Sequence, residues 1–193
     1  MEKDRLLAFT DGVIAIIITI MVLDLRPPHD ASLAALRETA PTFVSYILSF
    51  VYIAIYWNNH HHFFHLVHHV DGAILWANLH LLFWLSLIPF ATAWLGEHGS
   101  APVPTAIYGV ALLMPALAFY VMQTVIIRRR GDDAALKRAI GRDIKGKLSP
   151  PLYFAGIGLS FLRPWIADAI YVLVALMWLI PDRRVERTVR GRQ

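Results

Sequence analysis

Residues 5–23 read RLLAFTDGVIAIIITIMVL, and this stretch decides the fold. Arg5 and Asp11 are charged, yet from Gly12 to Leu23 nothing is charged and the only hydroxyl is Thr19. A helix needs about 20 mostly apolar residues to cross a bilayer, so the stretch predicts a membrane helix with a charged entrance. A carboxylate at that depth is costly unless another helix supplies donors. Asp11 therefore predicts polar partners elsewhere in the chain. The run is too long for a cleaved signal peptide and lacks a small-x-small cleavage site, so it reads as retained.

The rest of the chain agrees. Of 193 residues, 57% are hydrophobic and only 17% charged, with a mean hydropathy of +0.52. Soluble domains carry about 25% charged residues, so the fold class is an all-α integral membrane protein. Six Trp and seven Tyr suit interfacial anchoring. The absence of cysteine excludes disulfides and thiolate metal sites. Candidate spans are 6–25, 42–64, 72–95, 103–127, 149–163 and 165–181, six helices in one domain over 1–193 with no internal repeat. The last two are short and joined by Arg163-Pro164, as in a tight hairpin, and four crossings result instead if 149–181 is a re-entrant pair.

Charge placement sets the topology. Of the 18 Lys and Arg, only Arg26, Arg37 and Arg163 fall on one side of these spans. The others lie at the N-terminus, in the basic linker 128–148 and in the tail 182–193, which puts both termini in the cytoplasm. The net charge of +4 follows from this asymmetry, and no nucleic-acid partner is expected. Within the linker, 132–147 has helical spacing of Ala135, Leu136, Ala139, Ile140 and Ile144, fitting a short surface helix on an anionic leaflet or a plain solvated connection.

At about 100° per residue the first helix carries an aliphatic stripe. Phe9, Ile20 and Leu23 fall within about 40° of Ile16, Thr19 about 60° to one side, and Asp11 about 140° away. Donors for Asp11 stand at the end of the second span, in Trp57-Asn58-Asn59-His60-His61-His62-Phe63-Phe64-His65, and further on at Asn78 and His80. An Asp–His or Asp–Trp contact would satisfy the carboxylate. His61-x-x-x-His65 and His65-x-x-His68-His69 also have the spacing of a membrane histidine box. No second box and no intramembrane carboxylate pair accompany them, so interfacial histidines are the expected reading, with no metal and no cofactor. Serine-nucleophile, P-loop and dinucleotide motifs are absent, as is the Thr-Val-Gly-Tyr-Gly carbonyl filter.

Arg5-x-x-x-Phe9-Thr10-Asp11 resembles the Arg-x-x-x-Phe-Ser-Asp signature of the endolysosomal potassium channel family called transmembrane protein 175, in its single-repeat prokaryotic form. Trp57-x-x-His60-His61, Asp71, Asn78 and Pro89-Phe90-x-Thr92 extend the resemblance across about the first 95 residues. Thr10 replaces the serine and keeps the hydroxyl. The resemblance implies a homotetramer of six-helix subunits in a prokaryotic plasma membrane, its first helices lining a central pore for potassium ions. It implies a signature network of Arg5, Phe9, Thr10, Asp11, Trp57, His60, His61, Asp71 and Asn78 that braces the pore helix. It carries the constriction onto Ile16, Ile20 and Leu23, with Thr19 close by. Asp24 and Asp30, on the outer side, fit either a mouth that concentrates cations or an ordinary soluble loop. A histidine-ligated membrane oxidoreductase, a proton-coupled transporter using Asp11 and the histidines, and a purely structural membrane protein are the rival readings.

Overall fold

The computed structural model describes residues 3–65, 67, 69–129 and 144–179. His68, the stretch 130–143 with most of the expected surface helix, and the tail 182–193 lie outside the described residues. Among the described residues all regular structure is helical. The helices are α1 (Lys3–Leu23), α2 (Leu33–Glu38), α3 (Ala40–His65), α4 (Gly72–Leu85), α5 (Ile88–His98), α6 (Pro102–Arg129), α7 (Ile144–Ser160) and α8 (Pro164–Leu179).

Among the described residues four segments are long and apolar enough to cross a membrane: α1, α3, α6 and the run Gly72–His98. That run is broken by a turn at Ser86 and Leu87 between α4 and α5. Pro89 has no N–H and its ring crowds the carbonyl four residues back, so the α4 ladder closes at Ser86, whose N–H donates to Leu82 O at 2.9 Å. Asp71 caps the start of α4, accepting from the Ile74 N–H at 2.9 Å. α2 begins at Ser32, whose hydroxyl accepts from the Ala35 N–H. It occupies what the sequence reads as plain loop.

α7 and α8 have 17 and 16 residues and pack on each other and, with α7 foremost, on α6. α7 begins at Ile144, not 149, so Lys145 and Lys147 belong to its first turn rather than to the linker. α6 likewise takes Arg128 and Arg129 from the linker's other end. Phe161, Leu162 and Arg163 turn the chain, and Pro164, whose missing N–H costs nothing in a first turn, opens α8.

Two buried clusters hold the bundle. One joins Leu6, Ile14, Ile17 and Met21 of α1 to Ile53 and Phe64 of α3, Ile74 and Leu81 of α4, and Met122 and Ile126 of α6. The other is built on Tyr52, Leu95, Tyr108, Leu112, Tyr153, Tyr171 and Val174. Tyr171 fits there because Gly109 and Gly156 lack a Cβ that would strike its ring. α1 packs mainly against α3, α4 and α5, at the edge of the bundle. Lipid tails are as apolar as leucine, so helices in a bilayer gain little from apolar burial as such. Polar bonds between helices then carry much of the orientation.

Candidate functional site

Those bonds converge on the first half of α1. The Asn78 side-chain amide on α4 donates to Thr10 Oγ1 at 2.9 Å. Its oxygen, Oδ1, lies 2.8 Å from His60 Nε2 on α3. An amide oxygen only accepts, so His60 carries its proton on Nε2. Thr10, Asn78 and His60 are all buried, and the His60 ring stacks on Phe64 with centroids 4.4 Å apart. One chain of hydrogen bonds thus ties three helices in a region where an unpaired polar group has no water to turn to.

A second chain runs along the surface. The Trp57 indole N–H donates to Asp11 Oδ1 at 2.9 Å. The Trp57 ring stacks on His61 at 5.8 Å, and His61 Nε2 lies 3.0 Å from His65 Nε2. Of the two partners expected for Asp11, tryptophan is the one it meets. The pair is exposed, so the buried anchor of the signature is Thr10 and not the carboxylate.

The remaining signature residues separate from this pair of chains. Asp71, besides capping α4, faces Arg129 Nε at 3.5 Å and so ties the start of α4 to the end of α6. Arg5 and Phe9 stand exposed on α1. At about 100° per residue Arg5 falls within about 20° of Ile16, on the aliphatic stripe. Among the described residues it takes part in neither chain of bonds.

The stripe itself is left largely uncovered among the described residues. Ile16 is 59% exposed, Ile20 45% and Leu23 79%, whereas Ile14, Ile17 and Met21 are buried. Thr19 is exposed on the same side. Its hydroxyl donates to Ala15 O at 2.7 Å and approaches Ile16 O at 2.9 Å. The proton is therefore spent on the helix itself, and the oxygen lone pairs remain for a water or a cation. Asp24 follows the helix, exposed.

One polar cluster escapes a sequence reading. Ser49 on α3 bonds Thr92 Oγ1 of α5 at 2.6 Å and Tyr108 OH of α6 at 2.9 Å, and Thr92 donates back to Ile88 O. Ser45, Ser49, Tyr52 and Tyr56 fall at i, i+4, i+7 and i+11 on α3, a polar stripe that was the available signal. Among the described residues no three His, Cys, Asp or Glu side chains gather as metal ligands.

Comparison with known proteins completes the description. The family model described as endosomal/lysosomal potassium channel TMEM175 matches residues 5–89. The chain is 53% identical over 190 residues to a potassium channel of Chryseobacterium sp. (strain P1-3), covering 98% of this chain and 99% of the relative. It is 32% identical over 191 residues to a potassium channel of Streptomyces collinus, covering 92% and 91%. The crystal structure of a lysosomal potassium-selective channel TMEM175 homologue from Chamaesiphon minutus superposes with a TM-score of 0.78 at 29% identity, over 92% of this chain and 96% of that one.

Proposed function

Because this chain belongs to the TMEM175 family of potassium channels, we propose that it conducts potassium ions along an axis lined by four copies of α1. Membership in a channel family displaces the oxidoreductase reading. The single observation that carries the pore assignment is the exposure of Ile16, Ile20 and Leu23 on a helix whose other flank is bonded through Thr10. In an assembly of four subunits these side chains form apolar rings around the axis.

Such rings cannot coordinate a cation. Passage requires the ion to shed part of its hydration, which costs potassium less than sodium, and a collar that narrows further dewets and closes. Thr19, with its lone pairs free, offers the one oxygen beside the collar. Asp24 and Asp30 raise the local cation concentration at the outer mouth. Conduction itself calls on no resident cofactor, and the ion that permeates is potassium.

The membrane arrangement follows from the same reading. α7 and α8 complete six spans, short ones that at about 1.5 Å per residue reach across only a thinned or locally compressed core. The basic residues place both termini in the cytoplasm of a prokaryotic cell, with the protein multi-pass in its plasma membrane. A bi-ionic reversal potential on purified, reconstituted protein, with the oligomeric state measured alongside, tests the proposal. A tetramer whose potential favours potassium over sodium supports it. A monomer, or vesicles without flux, overturns it.

A further inference from the structure

His61 and His65 lie one turn apart at the C-terminal end of α3, with their Nε2 atoms 3.0 Å apart and their rings nearly perpendicular, at 85°. As neutral imidazoles they satisfy each other with a single proton, one Nε2 donating and the other accepting. A divalent transition-metal ion satisfies both lone pairs at once. Imidazole nitrogens sit about 2.0–2.1 Å from such an ion, and two of them at right angles about it are about 3 Å apart. The observed separation is therefore already that of a bidentate pair. Only rotation of the rings is needed to aim both lone pairs at one point, and His65 is exposed enough to turn.

We propose that His61 and His65 form an exchangeable site for a divalent transition-metal ion, with water completing its coordination, and that occupancy slows conduction. The route to the pore is on the page. His61 stacks on Trp57, and Trp57 holds Asp11 of α1, the helix with the exposed stripe. An ion that fixes the His61 ring restrains Trp57 and with it the attachment of α1. The site differs from the catalytic histidine box excluded above, because it has two protein ligands and carries no redox role. The Lys3 ammonium lies within Coulomb reach of His65, and His62 is close to both rings. The Lys3 charge opposes a bound cation, so the ion exchanges with solution.

The binding claim stands apart from the channel reading, and only the effect on conduction rests on it. Nickel is a suitable probe, since imidazole binds it well. Calorimetric titration of Ni2+ into the intact purified protein, free of any histidine tag, is expected to show one saturable site per chain. Loss of even an outer-shell partner of a metal ligand costs about 10–100-fold in affinity. His61→Ala and His65→Ala should each weaken binding by at least about tenfold, while His98→Ala leaves it intact. In vesicles, Ni2+ on the histidine side should slow potassium flux over the same concentration range, and both variants should be insensitive. Unchanged Ni2+ affinity in the two variants overturns the site. Binding that disappears in both variants while wild-type flux ignores Ni2+ overturns the coupling. Absence of any flux before Ni2+ is added counts against the channel reading, with the calorimetry still deciding the site.

Discussion

On one flank of α1, Thr10 is bonded through Asn78 to His60, and Leu6, Ile14, Ile17 and Met21 are packed among three other helices. On the other flank, Ile16, Ile20 and Leu23 are exposed among the described residues. Both flanks are drawn from the same run of isoleucines, so composition does not distinguish them. Attachment does. In a bilayer, where aliphatic contacts with protein and with lipid are nearly equivalent, a hydrogen-bonded hydroxyl fixes the rotation of a helix more firmly than an isoleucine does. Thr10 settles which isoleucines face inward to the subunit and which are presented outward.

The largest effect should come from cutting the buried attachment. Asn78→Leu removes both hydrogen bonds and leaves the Thr10 hydroxyl and the His60 N–H without partners. Each buried group left unsatisfied costs about 1–3 kcal/mol, so a loss of about 2–6 kcal/mol is expected. Thermal unfolding in detergent and size-exclusion chromatography should report a lower Tm and lost assembly. Thr10→Ser, which keeps the hydroxyl, should behave nearly as the wild type.

Next comes a change confined to the bare flank. Ile16→Asn wets the collar without touching the packed side. Conductance should rise several-fold and the preference for potassium over sodium should fall, with Tm unchanged. An unaltered ratio of potassium to sodium current would remove Ile16 from the ion path. Trp57→Phe sharpens the comparison from the exposed edge. It breaks the bond to Asp11 where water or headgroups can replace it, and a hydrogen bond to a charged group contributes about 1.5–3 kcal/mol at most. A smaller drop in Tm than Asn78→Leu is expected, because the Thr10 attachment remains. The smallest effect belongs to Asp24→Asn, which should lower conductance only in dilute salt. At about 1 M ionic strength, where the Debye length is about 3 Å, mutant and wild-type currents should coincide.

Much of this division was legible in the sequence. The helical period separated Ile16, Ile20 and Leu23 from Asp11, and the polar run from Trp57 to His65 supplied the partners it needed. What stayed hidden was tertiary. Nothing local says that Thr10 rather than Asp11 is the buried anchor, because that depends on where α4 places Asn78. The resemblance puts Asp71 in the signature network, yet its geometry makes it a helix cap and a tie to Arg129. Ser49, Thr92 and Tyr108 come from three helices and signal little until those helices meet. The break before α5 falls inside the span expected over 72–95, although Pro89 was there to signal it. The early start of α7 was not, since Lys145 and Lys147 look like linker until the helix runs through them.

The central claim is that the uncovered flank of α1 faces the ion path, and the chain contains no cysteine to complicate a direct test. Single cysteines placed at positions 14–23 and exposed to a thiol-reactive cation during potassium current recording would map that flank residue by residue. Block in Ile16→Cys, Ile20→Cys and Leu23→Cys, with none in Ile14→Cys or Ile17→Cys, is the result the account predicts. Block concentrated at Ile14→Cys and Ile17→Cys, with the stripe positions silent, would contradict it.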